Sequence, residues 1–277
     1  MGISAAMSNA IHQAKQSADK ANATQSAPKV VLSHVIAGIL FSILFTVIFV
    51  RVFDQVSDAG HKILPFDFIL LQWMYQHRAP VPNAAAIFLA HSGSPPVIVG
   101  IALGGALVGI LWRKVRGAAW TLPIAVVGSG LIIQGIKLLV QRPRPQAVPH
   151  GFQPLLHETG FSFPSGHSLI AMVVYGLLGY FVLHLFKNRA ARLLVRVVTV
   201  LVVFSIGASR VYVGVHYPTD VLAGWTAGVP WLVACLGLHE VLARRWPSTG
   251  EPVLTPQADK SGDQKSGESA VKTLLKG

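Results

Sequence analysis

The chain has 277 residues, of which 52% are hydrophobic and only 12% charged, and its mean hydropathy is +0.54. A soluble domain normally carries about 25% charged residues, so this composition excludes an ordinary water-soluble globule and points to an integral membrane protein. The formal net charge of +12 would suggest nucleic acid in a soluble protein, but here the basic residues flank apolar runs, where topology and anionic headgroups account for them and no nucleic-acid partner is expected.

Residues 1–28 are polar and rich in Ala, Ser, Gln and Lys. No early apolar stretch with a small-residue cleavage site marks a signal peptide, and the segment reads as a cytoplasmic arm. Residues 29–246 form the membrane domain. It holds six apolar runs, each near the roughly 20 residues that cross about 30 Å of hydrocarbon as a helix. Helices are expected because they keep every backbone hydrogen bond internal where water is absent. The first run is about Val30 to Val50. The second is about Pro95 to Trp112, entered from as early as Ala84. The third covers about Ala118 to Val140, the fourth Ser165 to Phe186, the fifth Leu193 to Val211 and the sixth Pro218 to Leu242. Between the first two, residues 63–78 (ILPFDFILLQWMYQHR) mix apolar and polar positions with Trp73 and Tyr75, which suits a helix lying in the outer interface. The fold expected is therefore all-α: a polytopic bundle of six transmembrane helices with one interfacial helix. Residues 247–277, rich in Pro, Ser, Gly and mixed charge, read as a disordered cytoplasmic tail. Cys235 lies in an apolar run and reads as a small buried hydrophobe, since one cysteine forms no internal disulfide.

Orientation follows from Lys and Arg in short loops. Arg113, Lys114 and Arg116 separate spans two and three. Lys187, Arg189, Arg192 and Arg196 separate spans four and five, and Arg244 and Arg245 follow span six. All fall on one side with the N-terminal lysines, which makes that side cytoplasmic. Asp54, Asp58 and Asp67 fall on the other. The loop from Gln141 to Pro164 breaks the charge rule. It faces outside, yet it begins QRPRP with Lys137 one turn earlier, so these cations need a reason other than topology.

Up-and-down threading brings three stretches to that outer face: Lys137 to Pro145, Pro164 to His167, and Ser209 to Asp220. Lys137, Arg144 and Arg210 are cations, and a guanidinium fork matches phosphate oxygens. Ser165 and Gly166 stand at a helix start, where free N–H groups and the helix dipole favour an anion. His167 and His216 can divide the roles of nucleophile and acid. Asp220, four residues after His216, can reach one imidazole nitrogen and leave the other free to attack. The set describes a phosphoryl-transfer site that needs no metal. Three cations oppose a divalent ion, and no H-E-x-x-H pattern is present. No cofactor is expected.

These stretches resemble the signature of the type 2 phosphatidic acid phosphatase (PAP2) superfamily: K-x6-RP, PSGH and SR-x5-H-x3-D. Every signature position is matched in the family's order. The resemblance covers about residues 60 to 245 and implies a six-span bundle and a phosphohistidine mechanism. In that mechanism His216 is the nucleophile, Asp220 its orienting partner and His167 the general acid. Lys137, Arg144 and Arg210 bind phosphate, and Ser165 and Gly166 complete the pocket. The partner implied is a phosphorylated membrane lipid in the bilayer: undecaprenyl pyrophosphate, phosphatidylglycerol phosphate or phosphatidic acid, with a polyprenyl pyrophosphate placed first. The implied location is a bacterial inner membrane, with both termini cytoplasmic and the site on the periplasmic face. A bell-shaped pH dependence is expected from the two histidines.

Several of these residues also suit other roles. Ser165 is also a good N-cap, and the three cations could be snorkelling headgroup contacts. Arg142 lies outside the signature and suits loop anchoring or headgroup contact as well as a role in the site. His150, His157 and Glu158 share the loop and read as shaping access rather than as catalysts. His34, His91, His184 and His239, and the tryptophans Trp73, Trp112, Trp120, Trp225 and Trp231, read as packing or interfacial residues. The same site would serve a lipid phosphotransferase or a lipid A phosphatase. A lipid or anion transporter is the alternative of another class, but the charges sit at span ends rather than at a broken helix in the midplane.

Overall fold

In a computed structural model, residues 35–60, 62–111, 116–147 and 152–245 are described. The expected arm (1–28) and tail (247–277), with His34, Trp112 and His150, lie outside them. The described residues are helical throughout their regular structure: α1 (Val35–Ala59), α2 (Pro65–Gln76), α3 (Pro80–Ser92), α4 (Pro95–Leu111), α5 (Arg116–Val140), α6 (Gly166–Leu183), α7 (Arg189–Tyr212) and α8 (Pro218–Arg245), with a short 3₁₀ turn at Pro145–Ala147.

Five of these helices are long and apolar enough to cross a membrane. The number is six if α3 and α4, bent by 49° at their junction, form one broken span. The break is written in the sequence as Gly93-Ser94-Pro95-Pro96. Two consecutive prolines have no N–H to continue a helix, yet they suit the first turn of a new one. The expected second span, about Pro95 to Trp112 entered from as early as Ala84, corresponds to this bent pair, whose first helix begins at Pro80. The first span also extends past its expected end at Val50, to Ala59. Val52 and Val56, one turn apart, bury one face against Phe163 and Ala223, while Arg51, Asp54 and Asp58 on the other face stay exposed. The apolar packing therefore carries the helix through a stretch that its charged residues would have ended.

The core lies among α4, α5, α6 and α8, where Ile98, Leu122, Ala125, Leu169, Val173, Leu177 and Cys235 are buried together. Trp231 packs against this cluster and donates from Nε1 to Ala125 O at 3.1 Å. Trp73 and Trp120 face outward. Helix α6 is enclosed by α5, α7 and α8. Small residues permit the closest crossings, as is common between helices in lipid. A Cβ at Gly224 of α8 would stand 2.6 Å from Ser165 O, so only glycine lets α8 press onto the start of α6. Helix α2 is about 18 Å long at 1.5 Å per residue, too short to span. Asp67 and Leu71 face the bundle, while Phe66, Phe68, Ile69 and Trp73 face out.

Candidate active site

Five chain segments meet at one end of the bundle: α2 through Asp67, the last turn of α5 with residues 141–147, the start of α6, the α7–α8 junction, and the segment 152–164. Gln141 takes a left-handed φ of 50° and ends α5. The next residues run irregularly, and Arg142 and Arg144, two apart, are both buried. They enter two different clusters.

The first cluster is built on Arg142. Its Nη1 donates to Asp220 Oδ1 at 2.6 Å and to Thr219 Oγ1 at 2.8 Å, and its Nη2 donates to Asp67 Oδ2 at 2.7 Å. Asp67 also accepts from Thr219 N at 2.9 Å and from Thr219 Oγ1 at 2.7 Å. Asp220 Oδ2 accepts from Tyr217 N at 2.9 Å. The guanidinium lies 4.0 Å from the centre of the Tyr217 ring, close enough for a cation–π contact. Arg142 is therefore no headgroup contact. It clamps the carboxylate of Asp220 from one side and α2 from the other. Burial raises the Asp67 carboxyl above its ordinary range, against the opposing pull of Arg142 and Thr219.

The second cluster holds the charged and histidine signature residues other than Asp220. Arg144 donates from Nε to Gly160 O at 3.1 Å, from Nη2 to Thr159 O at 3.2 Å and from Nη1 to Val215 O at 2.9 Å. Its Nη1 also lies 3.0 Å from Glu158 Oε2 and 3.3 Å from His216 Nε2. Arg210, almost fully buried near the C-terminus of α7, pairs through Nη2 with Glu158 Oε1. Lys137 donates to Phe161 O. His167 is half-buried in the first turn of α6 and lies in the field of Arg210, Glu158, Arg144 and Lys137.

An arginine only donates, so the 3.3 Å contact makes His216 Nε2 the bare acceptor nitrogen, with its proton on Nδ1. Nδ1 stands 3.5 Å from Asp220 Oδ2 and has no formed hydrogen bond. The orienting contact expected between these two residues is thus present as proximity. Burial, reinforced by Arg144 and Arg210, holds His216 well below the usual imidazole range, so it is neutral. At Glu158, burial alone would raise the carboxyl. Arg210, followed by His216 and His167 once they are protonated and then Arg144, outweighs it and pulls the group down to about 2.

The start of α6 differs in one detail from the expected anion cradle. Ser165 is the N-cap: its Oγ accepts from Ser168 N at 3.4 Å and from Ser168 Oγ at 2.9 Å. Its own N–H goes to Asp220 O at 2.9 Å, and Leu169 N goes to Ser165 O at 3.1 Å. The donors left at this helix start are the N–H groups of Gly166 and His167. Gly93, at the α3–α4 break, sits against His167: a Cβ there would lie 3.1 Å from His167 Cδ2.

All eight residues singled out from sequence meet here: Lys137, Arg144, Ser165, Gly166, His167, Arg210, His216 and Asp220. Three members were not singled out: Glu158, Asp67 and Arg142. The one signal for Asp67 was an acid inside an apolar helix; for Arg142 it was a surplus cation on the wrong side. His157 is exposed and outside the clusters, and His91 and His184 bond the carbonyls of Ile87 and Tyr180 on their own helices. Among the described residues, no group of three or more His, Cys, Asp or Glu side chains could hold a metal ion.

Comparison with known proteins agrees in kind. The PAP2 superfamily profile matches residues 97–244. Phosphatidylglycerophosphatase B of Bacillus subtilis (strain 168) is 33% identical over 173 residues, covering 60% of this chain and 80% of that protein. Undecaprenyl-diphosphatase of Sulfolobus acidocaldarius is 29% identical over 170 residues, covering 61% and 76%. The crystal structure of a transmembrane PAP2-type phosphatidylglycerolphosphate phosphatase from Bacillus subtilis superposes with a TM-score of 0.61 at 28% identity, over 73% of this chain and 98% of that one.

Proposed function

The chain belongs to the PAP2 superfamily, and from that premise we propose that it is a lipid phosphatase that removes the terminal phosphate of a membrane lipid through a phosphohistidine on His216. The observation that carries this reading is the convergence of Arg144, Arg210 and the bare Nε2 of His216 on one anion, the Glu158 carboxylate, at the end of an apolar bundle. A phosphate is an anion of the same kind with more charge.

The steps follow from the geometry. Arg144 and Arg210 hold the non-bridging oxygens, with Lys137 and the N–H groups of Gly166 and His167 adding positive field. His216 Nε2 attacks phosphorus, and a P–N bond forms as the bond from phosphorus to the lipid oxygen breaks. His167 gives its proton to that leaving oxygen. A water molecule then attacks phosphorus and yields a proton to His167 as the P–N bond breaks and phosphate departs. Asp220 faces the Nδ1–H and steadies the positive charge that the ring acquires. Arg142 and Asp67 hold Asp220 for that purpose. The cations supply the charge stabilisation a metal would otherwise give.

The substrate is a lipid phosphate or diphosphate, with a polyprenyl diphosphate ranked first and phosphatidylglycerol phosphate and phosphatidic acid next. The relatives' names cover both of the first two chemistries. The basic loops support cytoplasmic termini and an outward-facing site in a bacterial inner membrane, with α2 in the outer interface. The test is a phosphate-release screen of these three lipids in chelator, with His216→Ala as the blank. Release from at least one lipid by wild type alone is expected. Release from none, with folded protein, overturns the reading. Labelled phosphate appearing in lipid rather than in free phosphate would instead identify a transferase.

A further inference from the structure

Glu158 stands where a substrate phosphate is needed. Its Oε2 is 3.9 Å from His216 Nε2 and 3.0 Å from Arg144 Nη1, and its Oε1 pairs with Arg210. A phosphorus poised for attack must come within about 3–3.5 Å of that nitrogen. The carboxylate and a phosphoryl group therefore exclude each other from this space.

The segment that carries Glu158 is fixed on both sides. Upstream, Leu155 N donates to Val213 O at 2.8 Å, and Arg78 Nη1 donates to Gln153 O at 2.6 Å. Downstream, Arg144 and Lys137 hold the carbonyls of Thr159, Gly160 and Phe161, and Gly160 takes a φ of 75° that only glycine adopts freely. The Glu158 carbonyl is itself held by Gln146 Nε2 at 2.9 Å. The backbone is thus latched, whereas the side chain is 26% exposed and has a way out to water. The carboxylate leaves by rotation of its own side chain, without opening of the segment.

The groups facing it are Arg144, Arg210, Lys137, His167 and His216. With His216 neutral, a single carboxylate leaves these cations with uncompensated charge. Protonation does not release it, because the carboxyl stays ionised down to about pH 2. Only another anion does.

We propose that Glu158 is a built-in competing anion that sets a charge threshold for the phosphate subsite. Headgroups with a terminal phosphate, carrying about two negative charges, displace it. Phosphodiester headgroups, with one, do not. This is a specificity role, and it rests on the reading of this subsite as the place where the substrate phosphate binds. It answers a need specific to an enzyme within a bilayer. The singly charged phosphodiester lipids around it share a phosphate with the substrate, and an unguarded pair of arginines would collect them.

The experiment uses the full chain in detergent micelles. Inorganic phosphate is titrated calorimetrically into wild type, Glu158→Gln and Glu158→Asp, so that binding is read without turnover. Phosphatidylglycerol is then added as an inhibitor of hydrolysis. Glu158→Gln should bind phosphate on the order of tenfold more tightly, about what loss of one charged competitor gives, and should become sensitive to phosphatidylglycerol. Glu158→Asp, one methylene short of bridging both arginines, should shift phosphate binding the same way by less. It reads the effect if the glutamine variant misfolds. Equal or weaker phosphate binding in both variants overturns the proposal and makes Glu158 a structural anchor, even if wild-type hydrolysis proceeds. Tighter binding in the variants, with no lipid hydrolysed by wild type, leaves the guarded anion site standing and removes the phosphatase reading.

Discussion

Two arginine–carboxylate clusters lie side by side at the end of this bundle, and they are built on opposite principles. Around Arg142, two carboxylates, a threonine and an aromatic face take up the guanidinium completely. Around Arg144 and Arg210, cations outnumber carboxylates, backbone carbonyls fill in for an anion, and Arg210 Nε and His216 Nδ1 have no hydrogen-bond partner. A buried ion cluster whose donors and acceptors are all paired internally serves as scaffold. One left with surplus charge and unfilled donors is prepared for a ligand. Substitutions should therefore separate stability from turnover according to the cluster they hit.

The largest effect is expected at the proposed nucleophile. His216→Ala should lower phosphate release by about four orders of magnitude or more, and retention of more than about a hundredth of wild-type turnover would remove His216 from that role. The comparison itself breaks or holds on two arginines. Arg142→Ala leaves Asp67 and Asp220 buried without their partner and should cost about 3–5 kcal/mol of stability, read as a drop in thermal melting. Arg210→Ala removes surplus charge but also the main partner of Glu158, so it should lower melting by clearly less than Arg142→Ala while cutting turnover by about 10²-fold or more. Equal melting shifts in the two variants would erase the distinction between the clusters.

A smaller loss, about 1–3 kcal/mol, is expected for Gly224→Ala, because the new Cβ would meet Ser165 O at 2.6 Å and one of two packed backbones must move. Unchanged melting would show that α8 is free to retreat. The mildest prediction concerns pH. Folded His216 releases its proton at lower pH than it does in the unfolded chain, where the value is near 6.5. As pH falls below that point the unfolded chain gains protons first, so stability declines there and is flat above it. Activity follows the same group. The acid limb of kcat/KM, corrected for the substrate's own ionisation near pH 6, should lie well below 6.5. A limb at 6.5 or higher would mean that His216 is hydrated and exposed in the working enzyme. Glu158 adds a second acid-side loss: it stabilises the fold above about pH 4.5, and that contribution disappears as pH falls toward 2.

The open cluster was legible in the sequence because its members occupy short stretches at fixed spacing, and helix ends bring such stretches together without knowledge of packing. The helical class and the apolar runs were legible for the same local reason. The closed cluster was not. Asp67 and Thr219 are 152 positions apart, and Asp67 and Arg142 are 75 apart, and nothing in hydropathy or spacing pairs them. Glu158 reads from the sequence only as a loop residue that shapes access, because nothing in spacing pairs it with Arg144 and Arg210, which the structure shows holding it. The extension of α1 and the bend between α3 and α4 depend on tertiary contact and on two prolines. The second of these was written in the sequence, and the first was not.

The spread of the Arg142 cluster along the chain also has a consequence for biogenesis. Its members arrive in order: Asp67 with α2, Arg142 after α5, and Thr219 and Asp220 only at the start of α8. A chain made from its N-terminus therefore carries the Asp67 carboxyl in α2 without its arginine until Arg142 follows α5. The Asp220 carboxylate is the last piece delivered, and with Thr219 it completes the hydrogen bonds of the Arg142 guanidinium. Completion of the scaffold and completion of the chemistry are one event, and it waits for the final helix.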